Sequence, residues 1–394
     1  MTSRLRSLPR PVPGDLTGAL GDLGTVLPLA AGLILVAGIE AGAFFVTFGV
    51  ASLATGLVFR LPLPIQPQKA IAAAAIGQQW SPAWVYGAGL GSGLVWVVLA
   101  GTPALRWLGR AVPPFIARGV QLALAATLGV EAVRLLADEL PLGALAILLF
   151  AFSMRLRLTA LALTFVVAVA LLPAEARTIA WAPGLPALTL PSLSAVGTGM
   201  LQGGLAQLPL TLANAIFATV ALTAVYFPQR PVTAVQLGFS TGAMNVGAAV
   251  LGGVPLCHGA GGLAAQHLYG ARTVWKNVFE AAAALTIGLF FAPSIRPALE
   301  AFPMPLLGGL LLLVAVELLG AARGLHGWRS WIALAMVAVA LASNIAIAFA
   351  AGLGAAYALR LLVRRGWLPR LTRGTPVESL HRIPAFVLRD RRRA

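Results

Sequence analysis

Leu63-Pro64-Ile65-Gln66-Pro67-Gln68-Lys69-Ala70-Ile71-Ala72-Ala73, in the first half of the chain, has a counterpart in the second. That counterpart is Val254-Pro255-Leu256-Cys257-His258-Gly259-Ala260-Gly261-Gly262-Leu263-Ala264. Each stretch leads from a proline-bearing segment into a run of small residues. Each also follows a Leu-Pro-Leu in the same order: Leu27-Pro28-Leu29 precedes the first, and Leu208-Pro209-Leu210 the second. Interrupted apolar segments at corresponding places in two halves are the mark of a transporter with an internal repeat, and they point to its binding site.

The rest of the chain suits that reading. Of 394 residues, 59% are hydrophobic and 10% charged, a ratio that an ordinary water-facing surface does not allow. The 43 glycines and 27 prolines sit largely within apolar segments, which is the transmembrane pattern. Long spans are expected over Thr17 to Gly38, Ala41 to Phe59, Ala83 to Gly101, Pro114 to Leu136, Leu158 to Leu172 and Met200 to Leu222. They continue over Val232 to Leu251, Val274 to Ala292, Met304 to Gly320, Trp331 to Asn344 and Ile345 to Val363. Shorter candidates are Ile65 to Gln78, Pro141 to Ser153 and Leu256 to Leu268.

At ~20 residues per spanning helix, these make about fourteen crossings. By this count an odd number of crossings separates corresponding elements, so the two halves face opposite ways. The fold class is therefore an all-α polytopic membrane protein, a seven-plus-seven inverted repeat with discontinuous helices 3 and 10. Its expected organisation is a cytoplasmic N-terminus (1–16), a first repeat (17–173), an extracytoplasmic linker (174–199), a second repeat (200–363) and a basic cytoplasmic tail (364–394).

The net charge of +16 supports this count instead of indicating a nucleic-acid partner. With the N-terminus inside, the inner connections receive Arg60, Arg106, Arg110, Arg155, Arg157, Arg230, Arg272, Lys276, Arg323 and Arg329, together with the tail. The outer side keeps only Arg134, Arg177 and Arg296, beside Glu40, Asp138, Glu139, Glu175 and Glu300. This places a multi-pass protein in an inner (cytoplasmic) cell membrane with both termini cytoplasmic. The single cysteine, Cys257, excludes an internal disulfide and a multi-thiolate metal site.

Two half-helix starts at the membrane midplane point to an anionic solute, because unpaired N–H groups and the helix dipole make a helix N-terminus an anion site. Pro67 suits a helix start, and Gly259, Gly261 and Gly262 leave the neighbouring amides open to close approach. Two such ends meeting one ligand would suit a dianion. Lys69 adds a full positive charge one to two residues into the first half-helix.

In the eighth span Gln207, Thr211 and Asn214 share a helical face, as do Asp22 and Thr25 in the first. Asp22 either carries a coupling proton or pairs with Lys69 or caps a neighbour. His258 either donates to the anion or serves a structural role. Glu280, four residues after Lys276, is expected to form a helix pair near the membrane surface, and Glu317 has no evident partner.

These residues carry a resemblance. Gly21-Asp22-Leu23-Gly24-Thr25, Pro62 through Ile76, and Cys257 through Gln266 with Gly270 and Arg272, resemble the signature stretches of the molybdate transporter family, itself related to SulP-type sulfate permeases. The resemblance covers the whole membrane region in order. It implies a core domain and a gate domain, uptake of molybdate, no STAS domain, and homodimers by analogy with the permeases; the residues themselves leave molybdate, tungstate and sulfate open as oxyanion substrates, all three being tetrahedral dianions. By position, Gln66, Lys69, His258, Gly259 and Ala260 inherit the binding role, with Thr25, Gln207 and Asn214 from the other spans. Gln68, His267 and Val274 depart from the family pattern and bear on anion preference.

The expected function is secondary active import of molybdate by alternating access, with the lipid bilayer as the other partner and no cofactor. Rival readings are a sulfate, bicarbonate or nucleobase carrier of the same fold, or an anion channel. A nucleobase carrier is expected to place a carboxylate near the middle of the eighth or tenth span, and none is there. A membrane-embedded enzyme would need a nucleophile with its base or a metal triad, and neither is visible.

Overall fold

In a bilayer, backbone N–H and C=O groups have to be paired within the protein, which leaves helices as the main solution for apolar spans. The computed structural model describes residues 8–111, 113–149, 151 and 179–365, and these are helical through most of their length. The first half contains α1 (Pro13–Ala19), α2 (Leu23–Leu35), α3 (Ala41–Phe59), β1 (Gln66–Pro67), α4 (Lys69–Gly77), α5 (Pro82–Gly101), α6 (Ala104–Ala111), α7 (Pro114–Leu136) and α8 (Leu140–Leu149). The second contains α9 (Leu193–Tyr226), α10 (Ala234–Val250), β2 (Leu256–Cys257), α11 (Ala260–Leu268), α12 (Trp275–Phe290), α13 (Ala292–Glu300), α14 (Met304–Ala321), α15 (Trp328–Ala342) and α16 (Ile345–Arg364).

Among the described residues six helices are long and apolar enough to cross a membrane alone, and α12 with α13 forms a further pair bent by 88°. The expected limits of α3 and α7 are met to the residue, because local chemistry sets them. Glu40 accepts from the Gly42 and Ala43 amides at the start of α3, and Pro114 opens α7 where its missing N–H costs nothing. The expected span over Leu158 to Leu172 lies outside the described residues, as do Arg155, Arg157, Glu175 and Arg177 and the tail beyond residue 365.

The two interrupted segments depart from an all-helical chain. Helix begins only at Lys69 and at Ala260, and the residues before them pair as a two-stranded antiparallel ribbon, Gln66 opposite Cys257 and Pro67 opposite Leu256. Pro64 and Pro67 resist helix on one side. A freed backbone group of one segment then satisfies one of the other, the Gln68 amide donating to Pro255 O at 2.8 Å, while the Leu256 amide donates to the Asn245 side chain of α10 at Oδ1. The antiparallel direction is the relation an inverted repeat requires of its matching segments.

The span expected from Met200 is instead part of a 34-residue helix, α9. Pro209 interrupts its ladder, and wider π turns at Met200–Gly204 and Thr211–Ala218 flank the break. Around the ribbon the helices form two groups. In one, α3 packs on α12, and α5 on α9 and α10. In the other, α14, α15 and α16 pack on α7. Half-helix α4 and helix α2 lie where the groups meet, with α4 against α7 and α2 against α14.

The expected Lys276–Glu280 helix pair forms, and it is enclosed by protein. Lys276 is fully buried, its Nζ 3.1 Å from Glu280 Oε2 and 3.1 Å from Leu63 O. Ser52 and Gln266 donate to the same carboxylate, and Asn277 reaches both Leu63 O and Ser52. This network holds the loop before β1, whose carbonyls no helix satisfies. A single deletion leaves a buried charge without its counterion. Lys276→Met is therefore expected to cost about 3–5 kcal/mol, while Lys276→Met with Glu280→Leu recovers much of the loss. Thermal unfolding of the detergent-purified variants reads the difference.

Candidate functional site

The ribbon brings the starts of α4 and α11 together, and a cavity of about 70 Å³ lies beside them. Its wall includes Gln66 and Cys257 from the strands, Lys69 from α4, Gly261 from α11, Gln207, Thr211 and Asn214 from α9, Gln121 from α7 and Glu317 from α14. Both helix groups thus contribute to one small polar chamber.

Three interactions shape it. Lys69, the first residue of α4, places Nζ 2.8 Å from Glu317 Oε1, and Thr25 donates to Glu317 Oε2 at 2.8 Å. Gln66 donates through Nε2 to both carboxylate oxygens of Asp22, each at 2.7 Å, while its own Oε1 is buried without a hydrogen-bond partner. Gln207 accepts from the Ala70 amide at 2.8 Å and donates to Thr211 Oγ1 at 2.9 Å, so an α9 side chain caps the first turn of α4.

Of the residues singled out in the sequence, Gln66, Lys69, Gln207 and Asn214 line the cavity. Thr25 and Asp22 stand behind it, Thr25 holding Glu317 and Asp22 held by Gln66. Lys69 pairs with Glu317, not with Asp22. The His258 ring turns elsewhere: Nδ1 lies 3.1 Å from Pro64 O, Nε2 lies 2.9 Å from Ser240 Oγ, and Phe59 packs against its plane edge-on. At this position the side chain fastens the ribbon and α10 together, because alternation along the strand faces it away from Cys257.

Gly259 and Ala260 sit at the cap and first residue of α11. A Cβ at Gly259 would collide with Gln66 Oε1, and one at Gly262 with Asp22 Oδ2. The space these glycines leave is thus filled by the protein's own Gln66 and Asp22, while Gly261 faces the cavity. Glu317, Gln121, Gly261 and Cys257 were not singled out as site residues. For Glu317 the signal was present: a carboxylate inside an 18-residue apolar helix rarely lacks a task.

Residues 14–128 and 199–318 match the family described as "Molybdate transporter of MFS superfamily". The chain belongs to the molybdate transporter family. It is 31% identical over 392 residues to Molybdate transporter 1 of Arabidopsis thaliana, covering 86% of each chain. It is 29% identical to that plant's Molybdate transporter 2, over 92% of this chain and 89% of the relative.

Among solved structures, the transmembrane domain of the cyanobacterial bicarbonate transporter BicA superposes with a TM-score of 0.65 at 16% identity, covering 89% of this chain and 98% of that one. The murine anion transporter Slc26a9 in its inward-facing state gives 0.64 at 11% identity, covering 92% and 70%. The fold is that of SLC26-type transporters, and the chain is a multi-pass membrane transporter and not an enzyme.

The two buried lysines differ in one respect that can be measured. The Lys69 partner Glu317 keeps 39% of its side chain accessible, whereas both members of the Lys276 pair are enclosed. Water can reach Glu317 when Lys69 is removed. Lys69→Ala is expected to cost about 1 kcal/mol or less, against the several of Lys276→Met, in the same thermal-unfolding experiment.

Proposed function

We propose that this protein imports molybdate across the cytoplasmic membrane, binding the tetrahedral dianion in the cavity between the N-termini of α4 and α11. The observation that carries the reading is the convergence of Lys69 with the starts of two half-helices on one small chamber. Molybdate is the solute named for the plant relatives, which align over most of the chain. A cavity of about 70 Å³ suits a compact ion, and it is far smaller than the roughly 300–1,000 Å³ typical of sites for organic ligands.

In this reading Lys69 supplies the full charge, and the first-turn amides of α4 and α11 supply partial ones. Gln66, Gln207 and Asn214 orient the oxyanion, with Thr25, His258, Gly259 and Ala260 holding the frame on which they sit. Asp22 anchors the Gln66 amide beside them. The solute crosses by alternating access as the α7/α14–α16 group rocks against the rest, with both termini on the cytoplasmic side. Tungstate and sulfate share the tetrahedral dianionic form and are the natural competitors. The protein pairs as a homodimer, by analogy with the related permeases.

Isothermal titration of the detergent-purified protein with molybdate and with sulfate tests the proposal, in parallel with Lys69→Ala and Gly259→Val. The expected result is molybdate binding weakened at least about tenfold in each variant, the loss of a charge-assisted contact being worth roughly 1.5–3 kcal/mol. Gly259→Val acts by driving the Gln66 amide out of place. A folded wild type that binds neither anion overturns the reading. Binding that survives intact in Lys69→Ala moves the site away from this chamber.

A further inference from the structure

Lys69 is the cation an entering anion needs, and in this structure it is already engaged. Glu317 holds it at 2.8 Å, and the same carboxylate accepts from Thr25. Glu317 comes from α14, in one helix group, while Lys69 and Thr25 come from α4 and α2 at the junction with the other. The pair is therefore both a plug in the anion site and a tie across the surface at which the groups would move.

An entering dianion meets a charge problem here. The wall carries one carboxylate, Glu317, and a second, the Gln66-bound Asp22, stands just behind it, against the single ammonium of Lys69. Adding two negative charges to a chamber at membrane depth is strongly unfavourable unless a carboxylate loses its own. Asp22 is poorly placed to do so, since both its oxygens accept from Gln66 and it is 5% exposed. Glu317 is on the cavity wall, 39% accessible, and competes directly with the anion for Lys69.

We propose that Glu317 is the proton-coupling residue of this carrier: it occupies Lys69 when the site holds no anion, and it yields Lys69 and takes one proton from solution when an oxyanion enters. The inference rests on the oxyanion reading of the same cavity. No covalent bond other than the new O–H forms. The Nζ–H···Oε1 contact is replaced by Nζ–H···anion, and the neutral carboxylic acid remains beside Thr25.

Among the described residues, charged and titratable groups stand near Glu317 on several elements. They include Lys69 on α4, Asp22 at the start of α2 and the Cys257 thiol in β2. On α7 the cavity wall offers Gln121, while Arg118 is bonded to Gly324 O and Glu131 is paired with Arg134. Releasing the Lys69–Glu317 tie on binding also frees the two helix groups to shift, so anion and proton would cross together.

The test is calorimetric titration of the purified full chain with molybdate, tungstate and sulfate, in buffers of different ionisation enthalpy and at several pH values. It is run on wild type, Glu317→Gln and Asp22→Asn. Wild type is expected to take up about one proton per anion and to bind up to about tenfold more tightly for each unit fall in pH. Glu317→Gln is expected to bind without proton uptake and without that pH dependence. In proteoliposomes it should exchange anion across the membrane yet fail to accumulate it under an inward proton gradient.

Anion binding to wild type without proton uptake overturns the inference and leaves the oxyanion reading standing. So does uptake retained in Glu317→Gln, or lost in Asp22→Asn alone. A wild type that binds none of the three anions overturns both. Were Glu317→Gln not to fold, the wild-type proton count and the Asp22→Asn titration decide the matter.

Discussion

Backbone polar groups at membrane depth have to be paired, and where a helix starts in mid-membrane its first amides have no partner within the helix. The arrangement of this protein depends on how that demand is met twice at one place. The residues before α4 and α11 pair with each other as a short antiparallel ribbon, so the two helix starts are held side by side. The remaining demand is met by side chains from other helices: Gln207 caps α4 from α9, Asn245 takes the Leu256 amide from α10, and the Lys276 and Asn277 side chains take Leu63 O from α12. The helices around the ribbon are thereby tied to one spot, and what those side chains leave uncovered becomes a chamber attractive to an anion.

Two buried lysines in this region serve opposite ends. Lys276 is enclosed with Glu280 and surrounded by donors and acceptors that leave neither charge exposed, so its role is to hold the loop before β1 in place. Lys69 pairs on a cavity wall with a partly accessible carboxylate, which comes from α14 in the α7 group of helices. An ion pair with an open side can exchange its partner, whereas a sealed one cannot do so without exposing a charge to a low-dielectric interior. The distinction separates a structural lysine from one able to meet a solute.

The glycines of the second interrupted segment illustrate how close packing, more than open space, governs such a site. Gly259 and Gly262 admit the side chains of Gln66 and Asp22, which come from the opposite half of the chain. Gln66 thereby reaches Asp22 with both donors' worth of contact and stands at the cavity wall with an unpartnered carbonyl oxygen. His258, one residue earlier, is turned away and locks the ribbon to α10.

The membrane class, most helix positions and the two half-helix starts were determined by the sequence alone, because hydropathy, proline and glycine act locally and leave a readable trace over a few residues. So was the amide face of α9: Gln207, Thr211 and Asn214 line the cavity as their spacing implied. Which charges pair was decided only by the tertiary structure. Lys69 and Glu317 are 248 positions apart, and no pattern along the chain relates them; they meet because α4 and α14 lie on either side of one chamber. The burial of Lys276 and the outward turn of His258 belong to the same class. A side chain's partner in a membrane interior depends on which distant helix is packed against it, and helix packing follows from the fit of whole surfaces that local sequence does not record.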